Sequence, residues 1–576
     1  MIDDKELAEV IRLNKEGAHN FRERRHDDWT ENYTLYRDKV LVNRLTQRQS
    51  VNVPLMKYSL KTILKDIDDP PMLYFNNRDN DTQKEVFFNE YWKYCWREGK
   101  GVVKDIVDKK QVLLFGRSFK KLNIVNGKFD FEIVDPQDVL IDRYVDPARL
   151  DTARFLCHEH IFRPLSSLSL NEMYDKEAIN RLKDFYATQQ GLIKAEENLE
   201  SLQEKNERME DLGLIDADEP VLGETYVELN ENFLRMYDEG LKRDIYMFVV
   251  MADGMEILAR KPLHEVIGET TDDYWMDHTN FVSWSDDPER TDFWSDGVAD
   301  TIRTPNKIVN SWVSQMVENR TLRNFGMQFY DSSLENFTPQ TFEAVAWGWY
   351  PVPGNPNEVI KRVDIPELSE SLDELQFILT MAEKATAATA TQQGSVQPTN
   401  VTLGEVELAL ANAKERVKSM AILYTDSWEE FGIKYIKMLE AAGNMIDAVK
   451  VFRKGTNTKH IYSQDIKPSD WESALGYEVE VKDLSADASQ SADTLQKLNA
   501  ARLIMPFNKP LDEIYKQRVL EFADLNANEV KQVMEAEKNQ PPPQLAPGNM
   551  GAPNGPGVAT PGPLMPSQPM PMGGGA

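Results

Sequence analysis

Cysteine is nearly absent: Cys95 and Cys157 are the only two in 576 residues. That is too few for a disulfide framework and fits a reducing compartment. Positive charge is also scarce, with 66 Lys and Arg against 95 Asp and Glu, a formal net charge of −29. Such an imbalance argues against tight non-specific nucleic-acid binding by the surface as a whole, because that affinity comes from basic groups neutralising phosphates. It leaves room for a protein that DNA slides past. No run approaches a membrane span, and the most apolar short stretch, 247–252, is only strand-sized, so the reading is a soluble protein made in the cytoplasm. Histidine numbers seven, scattered without an acid/base arrangement. The Gly-x4-Gly-Lys-Ser/Thr phosphate loop is missing, since Gly127-Lys128 runs into Phe129, and no Gly-x-Gly-x-x-Gly follows a strand pattern. Nothing calls for a cofactor or points to catalysis. From Gln540 onward there is no charge at all, and Pro and Gly supply 19 of the last 37 residues, a composition expected to be disordered.

What is present is hydrophobic periodicity on a large scale. Aromatics at 10% and hydrophobics at 41% exclude wholesale disorder, and the length predicts several domains. The most organised stretch is 304–441. Thr304-Pro305 reads as a helix start, followed by one apolar face of Ile308, Val309, Trp312, Val313, Met316 and Val317. A second helical face carries Leu368, Leu372, Leu375, Ile378, Leu379 and Ala382. A third helix opens on the capping-box pattern Thr402-Leu403-Gly404-Glu405 and keeps residues in phase from Val406 through Met420, Tyr424, Trp428, Phe431 and Tyr435 to Met438. At about 1.5 Å per residue it is roughly 55–60 Å long. That is too long for an ordinary globular helix, so neighbouring elements or subunits must cover it.

Earlier in the chain, 3–24 is a charged amphipathic helix, with Trp29, Tyr33 and Tyr36 packing a first helix pair onto the body. Asp69-Pro70-Pro71 is a break, and 82–111 reads as one further helix in a run that Gly116 ends. The period then becomes two. Asn126-Gly127 joins 119–125 to 129–134, and Asp253-Gly254 joins 246–250 to 255–260, both with hairpin turn chemistry. Short strands are also expected between the two Val-Asp-Pro segments at 134–136 and 145–147, over 153–163 and over 224–234. Residues 166–189 look helical, and the Glu-rich 192–209 reads as a mobile insertion more than as a helical hairpin. Beyond the long helix, 443–481 carries strand candidates, and 490–505 and 511–538 are helical. The fold class is α+β.

Two weak metal patterns occur. In Cys157-His158-Glu159-His160, strand alternation sends both histidines to one face and no second ligand cluster exists, so ordinary strand residues are the better reading. Residues 292–297 faintly resemble a calcium loop, but Trp294 takes a ligand position and Arg303 stands where the bidentate Glu belongs, so a surface turn is favoured. No metal site is expected.

The order of these features resembles the bacteriophage portal protein family: Trp29 to Tyr36, a helix ending at Gly116, hairpins, Val134-Asp135-Pro136 to Asp142, a stretch like 293–310, and paired helices around a compact insert. The resemblance covers roughly 20–530. It implies a wing of helices and mixed α/β structure over 1–303, a stem helix over 304–326, a clip domain over 327–367 and a second stem helix over 368–387. A tunnel loop over 388–402, a long wing/crown helix over 403–441, wing strands and crown helices over 442–539, and a disordered tail over 540–576 complete the division. It also implies a twelve-subunit ring that passes double-stranded DNA, driven by a separate packaging motor (terminase) and joined to tail adaptors, capsid and scaffold proteins, in the virion and without membrane.

Residues 385–404 are uncharged, and Gln392, Gln393, Ser395, Gln397, Thr399 and Asn400 are the expected tunnel-loop contacts to DNA. Arg320, Arg323 and Lys384 are candidate stem phosphate contacts, with solvated or subunit-bridging charge as the alternative. Trp347, Trp349 and Tyr350 are candidate clip contacts to motor or adaptor, or clip core. Competing readings are another tail or baseplate structural protein, or a nucleic-acid-processing enzyme with a non-local active site.

Overall fold

The computed structural model describes residues 3–38, 42–43, 48–49, 51–67, 70–79, 81–125, 127–212, 221, 223–268, 273–324, 328–330, 360–362, 375–380, 403–443, 446–447, 449–454 and 461–482. The chain divides into two compact units, 1–485 and 486–576, and every described residue belongs to the first. The expected helices at 490–505 and 511–538 and the tail 540–576 lie outside the described residues. Helix and sheet are mixed throughout the first unit, as the α+β reading expects.

Helix α1 (Asp4–Tyr36) begins on the Asp3 side chain, which accepts from the Asp4 amide at 2.9 Å. The expected helix pair is one uninterrupted helix, because no Gly or Pro breaks 24–29 and Leu7, Ile11, Ala18, Phe21, Trp29 and Tyr36 form a single buried stripe. A minimal pair of strands, β1 (Val42–Asn43) and β2 (Arg48–Gln49), precedes α2 (Leu55–Asp66) and β3 (Met72–Asn77). The helix read over 82–111 is two helices, α3 (Thr82–Glu98) and α4 (Gly101–Phe115). Lys100 between them sits in the left-handed region at φ 53°, which no helix can continue through. Gly116, at φ 81°, ends α4 as expected.

Strands β4 (Arg117–Val125) and β5 (Lys128–Val134) form the first predicted hairpin, with Val125 opposite Lys128. Next come β6 (Val139–Ile141), β7 (Phe155–Pro164), the short α5 (Leu165–Leu168), α6 (Lys176–Tyr186) and α7 (Gln189–Leu212). The Glu-rich segment is thus not a mobile insertion but an ordered helix paired with α6. Its inner face explains why: Leu202 and Asn198 are buried, Lys205 reaches Asp138 at 2.7 Å and Arg208 reaches Asp135 at 3.0 Å. Strands β8 (Tyr226–Asp238), β9 (Arg243–Ala252) and β10 (Glu256–Pro262) extend β6 and β7 into an antiparallel sheet ordered β10-β9-β8-β7-β6. The turn Asp253-Gly254 has positive φ at both residues, 49° and 67°, as the second hairpin requires.

After α8 (Leu263–Ile267) and α9 (Tyr274–Asp277), β11 (Phe281–Ser285) joins β4 and β5 in a three-stranded sheet. Helix α10 spans Val298–Asn324. The pair β12 (Gln328–Tyr330) and β13 (Ile360–Arg362) follows, then helical residues 375–380, and then α11 (Leu403–Ala442), the long helix within one residue of its predicted end. Strands β14 (Val449–Lys454) and β15 (Ile461–Ile466) pair with each other, and β16 (Tyr477–Lys482) pairs with β3 near the amino terminus.

Both weak metal patterns dissolve into packing. Register in β7 slips between His158 and Ile161, and His160 takes φ 57°, so Glu159 and His160 protrude from a bulge. The expected alternation therefore fails: His158 is buried beside Lys121 Nζ at 3.2 Å, whereas His160 joins Glu159 and Glu228. The calcium-like stretch is no surface turn either. Phe293 and Trp294 are buried, and Trp294 meets Trp29 edge-to-face at 5.2 Å. Among the described residues no group of three His, Cys, Asp or Glu could hold a metal ion.

Candidate functional site

Two helices, α10 and α11, are seated in the same body and frame the stretch singled out by sequence. Helix α10 starts at Val298, six residues before Thr304-Pro305. Pro305 lies inside it, leaving unpaired only the carbonyl of residue 301, whose side is exposed to solvent. The early start is fixed by burial of Ala299 and Ile302 and by the Asp300 carboxylate, which accepts from the Gly297 amide at 2.9 Å. The same carboxylate takes Arg25 at 2.8 Å, Asn32 at 3.0 Å and Arg303 at 3.0 Å, binding the helix start to α1.

One edge of α10 is a polar ladder. Asn306 Oδ1 accepts from the Met56 amide at 3.1 Å, Asn310 Oδ1 from Val53 at 2.7 Å and Ser314 Oγ from Val51 at 2.9 Å. Spaced four residues apart, these residues satisfy the backbone of 51–56. Sequence reading missed them because attention to the apolar face passes over the residues between. On that apolar face, Val309 is buried, whereas Ile308 and Val317 are 36% and 48% exposed. The helix is therefore buried deepest at its amino-terminal half, at Ala299, Ile302, Asn306 and Val309, and beyond it Trp312, Val313 and Met316 are half-buried.

Helix α11 is seated through its carboxy-terminal half. Met420, Tyr424, Trp428, Phe431, Tyr435 and Met438, all members of the predicted face, are buried. Trp428 packs on Trp96 at 5.6 Å and Phe431 at 4.7 Å, and Tyr435 on Phe129 at 4.6 Å and Trp92 at 5.0 Å. Charge is buried in the same joint. Lys120 Nζ lies 2.9 Å from Asp108, 3.1 Å from Ser427 Oγ and 4.9 Å from the Trp428 ring centroid. Trp284 Nε1 donates to the same Asp108 carboxylate at 2.9 Å. Asp105 accepts from Lys109 at 2.8 Å and from the Tyr424 hydroxyl. Further along, Lys434 meets Asp151 at 2.8 Å, Glu430 at 3.0 Å and the Phe281 carbonyl at 2.6 Å.

Burial pushes Asp105 up to about 6 against the pull of Lys109. It lowers Lys120 for the same reason, with Asp108 opposing. For Lys434, burial is outweighed by Asp151 and Glu430, so the ammonium is held above the usual lysine range. Such pairs fix register, since a shifted helix would leave charges unpaired in a dry interior.

Of the candidate residues, Arg320 is exposed on α10, and Arg323 lies in the same helix with its side chain outside the described part. Lys384, the tunnel-loop residues Gln392, Gln393, Ser395, Gln397, Thr399 and Asn400, and the clip residues Trp347, Trp349 and Tyr350 lie outside the described residues. What is described is how the excursion between the helices begins and ends: β12 pairs antiparallel with β13, so residues 330 and 360 face each other across a ladder.

These helices, most of the strands that seat them and the excursion fall within residues 113–548, which match the family model for the phage SU10 portal protein. The match spans well over half the chain and defines the class: a phage portal protein, a structural family whose place is the virion capsid. The chain belongs to the phage SU10 portal protein family. A search of curated proteins finds no match. Among the described residues no helix is long and apolar enough to cross a membrane.

Proposed function

We propose that this portal protein assembles into a ring, of twelve subunits by family resemblance, at one capsid vertex. The ring passes double-stranded DNA inward under a separate motor, retains it, carries the tail and releases the genome. The observation that carries this reading is the opposed seating of α10 and α11. Each is locked into the body at one end, and the apolar face of α10 is only half-buried from Trp312 to Met316. Neighbouring subunits supply the remaining cover in a ring. The acidic balance agrees with a conduit, since a passage lined by many cations would hold phosphates by counterion release and slow the DNA.

In this arrangement 388–402 touches DNA through neutral polar side chains, with Arg320, Arg323 and Lys384 adding a few phosphate contacts. Trp347, Trp349 and Tyr350 face motor or adaptor. Electron microscopy of the purified protein is the test: a twelve-fold ring with a central hole is expected. A filament would favour another tail component, and a monomer with nucleic-acid turnover would favour an enzyme.

A further inference from the structure

Among the described residues Tyr144 is the most exposed large hydrophobic side chain, at 92%. The loop that carries it, 142–154, is nevertheless held on every side. Asp142 accepts from the amides of Tyr144 at 2.8 Å, Phe155 at 3.2 Å and Arg154. The Asp146 side chain accepts from Ala148 at 3.0 Å, and the Asp146 amide donates to Thr152 Oγ1 at 2.9 Å. From below, three buried side chains on different elements grip the loop. Arg117 donates to the Pro147 carbonyl at 3.2 Å, Tyr246 to the carbonyls of Asp151 and Ala153 at 2.9 and 2.6 Å, and Lys434 to the Asp151 carboxylate at 2.8 Å. Val145 and Leu150 anchor it in the core. An aromatic presented on such a base loses little conformational freedom when something covers it.

Around Tyr144 stand Arg143, Arg149 and Arg154, all exposed, and none has a carboxylate within ion-pair distance among the described residues. Tyr and Arg are the side chains that dominate interface energetics. We propose that this loop is a docking knob for a second copy of the chain, Tyr144 entering an apolar recess and the arginines meeting carboxylates on the neighbour. The inference rests on the ring reading. It names the surface through which one subunit grips the next, by a head-to-tail contact of the kind that closes rings.

Charge selects the occupant. The loop interleaves exposed arginines with carboxylates, which suits a protein face that carries both signs, and the 95 Asp and Glu of a second copy offer partners to the arginines. DNA is the weaker fit, because Asp142, Asp146 and Asp151 alternate with the three arginines and leave the loop with no net charge to drive counterion release.

Mass photometry across a concentration series tests this on the full chain. Tyr144→Ala, and separately Arg143→Ala with Arg149→Ala, should raise the concentration for half assembly at least about thirty-fold. Tyr144→Phe should assemble normally, and at a concentration where the wild type is itself monomeric all variants should keep its thermal midpoint. Assembly of the folded alanine variants at wild-type concentrations overturns the proposal while leaving the ring reading intact. A selective loss of binding to a labelled duplex, with assembly unchanged, also overturns it and assigns the loop to phosphate. Wild-type protein that stays monomeric at every concentration overturns the ring reading and the knob with it.

Discussion

At the scale of single residues, the bulge in β7 concentrates the clearest pH dependence. Burial opposes charge on His160, but its contacts to Glu159 and Glu228 win and hold the imidazolium up to about 9. Glu159 is held well below the usual carboxylate range: burial works against this, while His160, Lys15 and Arg22 lower it. A histidine raised above its unfolded value of 6.5 contributes stability fully below that pH and loses it as pH rises through about 9. A depressed carboxylate contributes above its unfolded value of 4.5 and loses it on acidification. The pair is thus strongest between those two ordinary values. Urea unfolding of His160→Gln against wild type at pH 6 and pH 9.5 should give a clear deficit at the lower pH that shrinks at the higher, and an equal deficit at both would refute the assignment. None of this was legible beforehand, because a one-residue reading of strand alternation cannot see a bulge that turns neighbouring side chains together.

At the scale of elements, the amphipathic phase of α11 was legible residue by residue, and the body confirms the buried face from Met420 to Met438. Its charged contacts were not. Lys120 and Lys121 are neighbours in β4 and so point to opposite faces, and both faces of that strand are covered, one by α4 and α11. The joint makes a sharp prediction. Lys120→Ala strands Asp108 in a dry interior and should cost about 3–5 kcal/mol. The double variant Lys120→Met with Asp108→Asn keeps an acceptor for Trp284 and should recover most of that loss. Denaturant midpoints of the two variants decide it, and a double variant no better than the single would show that the joint is held by shape alone. The other misread elements have different causes. After Tyr186 no proline marks the turn back, whereas at Lys100 the signal stands in the sequence as Gly99-Lys100-Gly101, and a helical period taken as continuous from 82 to 111 passes over it.

At the scale of the whole molecule, the order of helices and hairpins was informative even where each motif was degenerate, and the family match agrees with it. The DNA-facing loop belongs to the proposal, and its test acts on particles. Deleting 392–397 should leave rings intact by electron microscopy but reduce packaged genome and infectious yield, and a normal yield would refute a role for those residues. The strap 51–56 along α10 adds a constraint on how such a ring can move. Its amides are matched to Asn306, Asn310 and Ser314 at four-residue intervals, so a slide by a fraction of that leaves donors facing nothing, while a slide of four residues, about 6 Å, re-forms two of the three bonds. The helix is therefore indexed like a rack against a pawl: it holds its station or jumps a notch, and it does not creep.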